Sequence, residues 1–245
     1  MDPRGRVALV TGGAHRVGRA ITLALAARGA RVAVHYHASA READEVVREA
    51  RGMGTDAWAL QADLRQPGAP ERVVREVAEH FGALDVLVNS AAVMIRTPLH
   101  EVTEAQWDDI MALNTRAPFF CARAAAVLMG ERGEGGGVIV NIADLAGLES
   151  WPAYIPHGVS KAGVIHMTAA LARTLAPAVR VNAIAPGAVL LPESWSADDA
   201  ARLARTTPLR RIGSPADVAQ AVLYLIEADY VTGETLVVDG GRHIR

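Results

Sequence analysis

Seven short apolar runs punctuate the chain, at residues 7–11, 31–35, 56–61, 84–88, 138–142, 179–184 and 235–238. Most of them lack the polar alternation of a half-exposed strand, so they predict strands covered on both faces of a parallel sheet. Between them, apolar residues recur at helical spacing. Residues 20–27, 41–51, 70–81, 159–175 and 215–226 predict helices. Thr103 and Gln106 match a capping box, and from there a helix is predicted to run toward Met129. Strands alternating with helices, without an internal repeat or a linker, predict an α/β fold. The expectation is one doubly wound parallel sheet of seven strands, in one domain over residues 1–245. Ligands of such a sheet meet beyond the carboxyl ends of its strands.

The first strand runs into Thr11-Gly12-Gly13-Ala14-His15-Arg16-Val17-Gly18 and then into a helix. Glycines there let backbone approach a ligand closely, and the helix terminus offers unpaired N–H groups to phosphate. His15 and Arg16 lie inside the turn, facing phosphate, substrate or solvent. The second strand ends in His35-Tyr36-His37-Ala38-Ser39 with no acidic residue to take a free ribose hydroxyl. His37, Ser39 and Arg41 instead suit a ribose phosphate, which makes NADP(H) the expected cofactor. Asp63, followed by Leu64, stands where a carboxylate accepts from an adenine amine or caps a turn. The small residues of Asn89-Ser90-Ala91-Ala92 leave room for a flat ring, or tuck under a helix. Gly187, after Pro186, lets the chain pass close to a nicotinamide.

The fifth strand leads to Asp144, and a helical segment carries His157 and Lys161 four residues apart, on one face. A carboxylate, a proton-bearing ring and an ammonium together suit proton transfer. Asn114 lies near Pro118, which interrupts a helix; it bridges water to Lys161 or satisfies its own neighbourhood. Residues 189–211 form a polar insertion expected to act as a mobile substrate lid. Trp195 within it stacks on substrate or anchors the lid. Cys121 reads as packing. The helix over 159–175 is apolar on more than one side, which predicts a subunit interface.

Charge and composition narrow the classes. The formal charge is -2, with 25 Lys+Arg against 27 Asp+Glu, so nothing points to nucleic acid. One cysteine excludes a disulfide framework or a cysteine metal cluster within one chain, and no metal is expected. No apolar stretch is long enough to span a bilayer and no secretion signal is visible. A soluble cytoplasmic protein acting on a small molecule is the expectation.

These motifs together resemble the classical short-chain dehydrogenase/reductase family over nearly the whole chain. The matching pieces are the glycine turn, Asp63, Asn89-Ser90-Ala91-Ala92, Asn114, Lys161, Pro186-Gly187 and Asp239-Gly240-Gly241. Arg16, His35-Tyr36-His37-Ala38-Ser39, Asn114 before Ala117-Pro118-Phe119-Phe120, and Asp144 look most like the pteridine reductases. The resemblance implies a Rossmann-type cofactor site and a homotetramer. It implies cofactor contacts along Gly12, His15, Arg16, Val17, Gly18, His37, Ser39, Asp63, Leu64, Asn89, Ala91, Lys161, Pro186 and Gly187. It gives Asn114 and Lys161 a proton relay, Asp144 protonation of a ring nitrogen, and a substrate pocket at Arg16, Met94, Asp144, Tyr154 and Trp195. Where the family carries a tyrosine four residues before the lysine, this chain has His157. A tyrosine needs a nearby cation to lower its pKa from about 10, whereas histidine starts at about 6.5. His157 is therefore the expected proton donor with Asp144 as partner, and Tyr154 the alternative. The expected function is NADPH-dependent reduction of a pterin-like or other planar C=N or C=O substrate. The alternatives are reduction of a carbonyl such as a 3-oxoacyl thioester, and nucleotide binding without redox activity.

Overall fold

Strand β1 (Val7–Thr11) lies inside the sheet, every residue buried, because all five side chains meet a covering layer. Alternate positions supply opposite layers. Ala8 and Val10 join a core with Ile21, Leu25, Val46 and Val222, while Val7 and Leu9 join Val73, Val77, Cys121 and Met129. The computed structural model describes residues 1–131, 133, 136–191 and 196–244. After β1 come α1 (Arg16–Ala27), β2 (Arg31–Tyr36), α2 (Ala40–Gly52), β3 (Ala57–Gln61), α3 (Ala69–Phe81) and β4 (Val86–Asn89). Then follow α4 (Glu104–Met111), α5 (Ala117–Gly130), β5 (Gly137–Ile142), α6 (Ile155–Leu175) and β6 (Val179–Pro186). The described chain closes with α7 (Ala197–Thr206), α8 (Pro215–Glu227) and β7 (Thr235–Val238). The seven strands form one sheet in the order β3-β2-β1-β4-β5-β6-β7, with every pairing parallel.

The order of strand addition reverses between β1 and β4, which run parallel with their ends in register at Thr11 and Asn89. The crevice beyond those ends is where an open α/β sheet receives a ligand. The hydroxyl of Thr11 accepts the N–H groups of Ser90 (3.0 Å) and Ala91 (3.1 Å), so the loops after β1 and β4 are joined there. Cys121 is buried in the second core, where desolvation pushes its thiol up to about 12, so packing is its role.

Two expectations about elements are corrected. The single helix predicted from Thr103 to Met129 is two helices separated by a π turn at Ala112–Arg116, with Pro118 in the first turn of α5. The capping box at Thr103 and Gln106 is present. The α6 helix begins at Ile155, because Pro156 fits a first helical turn, and this brings His157 inside it. The insertion at 189–211 is in part regular: α7 occupies its middle under a capping box from Ser196 to Asp199. Trp195 lies outside the described residues.

One buried side chain holds the glycine turn in place. His35, at the end of β2, accepts the Gly12 N–H on Nδ1 (3.1 Å) and donates from Nε2 to the Ala62 carbonyl (3.1 Å). Burial pushes its pKa from 6.5 down to about 4, so the folded ring stays neutral where an unfolded one takes a proton. Stability therefore declines as pH falls from 6.5 toward 4, by roughly 3 kcal/mol from this group. We expect the urea midpoint to drop between pH 7 and pH 4.5, and the drop to shrink in His35→Gln. An equal drop in both proteins would assign the acid sensitivity to other groups.

Candidate active site

The glycine turn is shaped for a ligand that approaches backbone. Gly12 has φ +64°, and a side chain at Gly18 would bring its Cβ to 2.1 Å from the Gly12 carbonyl. Thr22 donates its hydroxyl to the Gly18 carbonyl at 2.9 Å and braces the turn from behind. Helix α1 starts without a side-chain cap and without an acidic residue in its first turn, so its positive end stays available to an anion. Arg16, its first residue, is held at φ +50°. His15 and Arg16 are exposed, and His15 Nε2 meets the Ser39 hydroxyl across the crevice between the first two strand ends. His37 is exposed beside them. Arg41 pairs with Glu42 at 3.4 Å and with Glu45 at 4.0 Å, so its charge is already answered.

Other expected cofactor residues have structural duties as well. Burial raises the Asp63 carboxyl, but the Arg65 N–H (3.0 Å), Gln66 and the His37 charge outweigh it and hold it low. Leu64 is buried in the core with Val73 and Met129, and Val17 packs against the other core with Ile21 and Leu25. Asn89 donates to Asn141 Oδ1 (2.9 Å) and the Pro118 carbonyl (3.3 Å), while its own Oδ1 is buried and finds no partner among the described residues. Ala91 lies against Gly12. Gly187, just past Pro186, owes its identity to β7's end: a Cβ there would stand 2.6 Å from that of Asp239.

The chemistry-bearing residues converge beyond β5. Asp144 Oδ1 accepts the Ala146 N–H at 2.7 Å and caps the short turn Leu145–Gly147. That turn packs onto α6 so closely that a Cβ on Gly147 would lie 2.8 Å from the Lys161 carbonyl carbon. His157, Ser160 and Lys161 all lie on the buried side of α6. Lys161 donates from Nζ to the Ile142 carbonyl at 2.7 Å. Burial pulls its pKa from 10.5 down to about 8, with the Asp144 charge opposing. It is the only lysine in the sequence; all the other Lys or Arg side chains are arginine. An arginine keeps its proton at any pH the protein survives, whereas a buried lysine can release it.

His157 Nε2 stands 3.7 Å from Asp144 Oδ2, an ion-pair approach rather than a hydrogen bond. It is buried and has no hydrogen-bond partner among the described residues. Its Nδ1 lies 3.2 Å from the Val93 carbonyl. The expected pairing of His157 with Asp144 is thus present as proximity. Of the two readings of Asn114, satisfaction of its own neighbourhood is the one with direct contacts in the structure. The π turn aims the Asn114 amide at Val93: Oδ1 accepts its N–H and Nδ2 donates to its carbonyl, both at 2.9 Å. Nδ2 also reaches Ser160 Oγ at 3.1 Å. Tyr154 precedes α6, half-buried, edge-on to Trp151. Met94 is half exposed on the loop beyond Val93.

Sequence reasoning did not assign Thr11, His35, Val93 or Ser160 to the site. Val93 acts through its peptide group and leaves no side-chain signal. Ser160, inside the string His157-Gly158-Val159-Ser160-Lys161, was open to recognition as a hydroxyl on the same buried face. No helix of the described residues is long and apolar enough to cross a membrane, and no group of three metal-ligating side chains gathers among them.

A parallel sheet with a glycine turn at its reversal point and a carboxylate, imidazole and ammonium at a strand end defines a Rossmann-like oxidoreductase. A family model described as enoyl-(acyl carrier protein) reductase matches residues 12–243. The chain belongs to the classical short-chain dehydrogenase/reductase family. It is 39% identical over 249 residues to a Streptomyces violaceoruber protein named as a ketoacyl reductase of the granaticin polyketide synthase, covering 99% of this chain and 98% of the other. It is 35% identical over 242 residues to 3-oxoacyl-(acyl-carrier-protein) reductase FabG of Staphylococcus aureus, covering 97% and 98%. The crystal structure of a dehydrogenase/reductase from Sinorhizobium meliloti 1021 superposes with a TM-score of 0.91 at 36% identity, covering 98% of this chain and 96% of that one.

Because Lys161 has no other lysine to be confused with, its titration is directly observable. We expect the ε-carbon signal of 13C-lysine-labelled protein to titrate with a midpoint near pH 8. A midpoint close to 10.5 would mean that the ammonium is not desolvated.

Proposed function

We propose that this protein is an NADPH-dependent reductase of a 3-oxoacyl thioester or a related β-keto carbonyl. The observation that carries the reading is the buried His157 Nε2, without a hydrogen-bond partner among the described residues, facing Asp144 beside the chain's single lysine at the mouth of the parallel sheet. The names of the two curated relatives support the acyl substrate over the pterin expected from the sequence. His157 stands, on this reading, where the resemblance places a tyrosine. Asp144 keeps a second reading in view, reduction of a pterin-like planar ring, because a carboxylate there suits a ring nitrogen.

The residues present fit a nicotinamide dinucleotide. A Cβ at Gly18 would run into the Gly12 carbonyl, so the turn packs backbone to backbone directly at the uncapped terminus of α1, which offers N–H groups to an anion. Gly12, Val17 and Gly18 would pass under the diphosphate, and His15, Arg16, His37 and Ser39 would surround a ribose phosphate, which supports NADPH. Asp63, Leu64, Asn89 and Ala91 would line the adenosine side, with Pro186 and Gly187 at the other end. When bound, the cofactor supplies the hydride. Lys161, charged below about pH 8, steadies ribose hydroxyls and favours negative charge nearby. The His157–Asp144 pair supplies the proton that the carbonyl oxygen needs. Met94, Tyr154 and Trp195 belong to the substrate side, under a lid at 189–211. Exposed apolar residues on α5 and α6, Phe119, Val127 and Val159 among them, support a homotetramer.

The test is NADPH consumption with acetoacetyl thioesters, dihydropterins and dihydrofolate, repeated with NADH. We expect turnover of the thioester, slower with NADH, and a loss of roughly 100-fold or more in kcat for His157→Ala. Dihydropterin turnover without thioester turnover would reverse the two readings. A His157→Ala enzyme at full rate, with Tyr154→Phe inactive, would move the proton donor to Tyr154.

A further inference from the structure

We propose that Ser160 is a positioning residue that decides which ring nitrogen of His157 carries the hydrogen, and that Asp144 is the group that hands the proton to substrate. This rests on the reductase reading above. The Val93 peptide orients the Asn114 amide without ambiguity. Its N–H only donates, so Oδ1 lies there; its carbonyl only accepts, so Nδ2 lies there. One Nδ2 hydrogen remains, and two acceptors compete for it: Ser160 Oγ at 3.1 Å and His157 Nδ1 at 3.4 Å. Ser160 donates its own hydrogen to the His157 carbonyl at 2.6 Å. Its oxygen therefore faces Asn114 with a lone pair and takes the spare hydrogen. His157 Nδ1 is left with the Val93 carbonyl at 3.2 Å, which only accepts, and so Nδ1 keeps its hydrogen.

Nε2 of the neutral ring is then a bare lone pair, buried and turned toward Asp144 Oδ2. Nε2 and Oδ2 thus face each other as two acceptors that a single proton can bridge. The two partners differ in reach: the His157 side chain is 3% exposed and that of Asp144 is 23% exposed. A substrate carbonyl can touch the carboxyl and not the ring. In the proton step the O–H bond on Asp144 breaks and the proton passes to the substrate oxygen as the carbonyl carbon takes the hydride, leaving an alcohol. The vacated carboxylate regains its proton from water at its exposed edge, and the Nε2 lone pair of the neutral ring faces that proton. The 3.7 Å separation shortens on substrate binding, as catalytic contacts commonly do.

The experiment is a two-bond 1H–15N spectrum of protein labelled in its histidines, with His157→Gln assigning the ring. The wild-type neutral ring is expected to carry its hydrogen on Nδ1. In Ser160→Ala the spare Asn114 hydrogen turns to Nδ1, and the spectrum should report Nε2–H instead. With a 3-oxoacyl thioester, kcat of Ser160→Ala should fall roughly 10- to 100-fold at unchanged KM. Ser160→Thr, which keeps the hydroxyl, should restore both the spectrum and the rate. A wild-type ring protonated on Nε2, or a Ser160→Ala ring that still carries its hydrogen on Nδ1, overturns the role of Ser160. Asp144→Asn at wild-type kcat overturns the role of Asp144. The wild-type spectrum is decisive even where a variant fails to fold, and it is independent of substrate. The expected tautomer in a protein that turns over no thioester would therefore sink the substrate reading and support this one.

Discussion

The clamp between Asn114 and the Val93 peptide is the contact on which the site depends. It joins the loop after β4 to the helix that crosses beneath it, and it brings the buried face of α6 to both. A regular helix from α4 into α5 would aim position 114 elsewhere; the π turn at Ala112–Arg116 supplies the change of direction. Two hydrogen bonds of 2.9 Å are worth about 1 kcal/mol each in net stability, but losing one leaves a buried polar group unpaired at a cost of about 1–3 kcal/mol. The Val93 carbonyl also faces His157 Nδ1. A single peptide group in a loop thus fixes one side chain in the π turn and one on α6.

Charge is arranged around the same point at some cost in stability. Lys161 titrates at about 8 in the fold and at about 10.5 when free of it. Between those values the unfolded chain holds a proton that the folded one has released, so stability rises with pH there, and at neutral pH the buried ammonium opposes folding. Asp144 offsets part of that penalty. The Ile142 carbonyl accepts one ammonium hydrogen, which leaves the others for a ligand. A group kept charged against the preference of its surroundings is a common mark of function.

The sheet was legible because strands buried on both faces must be continuously apolar, and all seven runs became strands. Their ends were less so. α1 begins at Arg16 rather than at residue 20, because the glycine turn bends directly into the helix through a left-handed residue that composition does not announce. α6 begins four residues earlier than expected, since Pro156 starts a helix as readily as it ends one. The π turn left no trace in 112–116 beyond the nearby Pro118. That Asp144, His157 and Lys161 come together was legible from residue type and spacing. Ser160 and Val93 were not, since what they do is choose a hydrogen's position, a property of three-dimensional contact alone.

The exchange of a phenol for an imidazole at position 157, as we read it, changes reach as well as acidity. An imidazole ends closer to its own backbone than a phenol does, and this ring is turned inward by Val93 and closed over by its surroundings. A proton held on it needs a second carrier to arrive at a substrate. Asp144 is that carrier by position: it begins the turn that packs on α6, one oxygen caps that turn, and the other is left facing the ring. A serine in its place could pass a hydrogen along but could not stand as an ionised acceptor once the proton has left for substrate. The histidine and the aspartate are therefore one substitution in chemical terms, each of little use to proton transfer without the other.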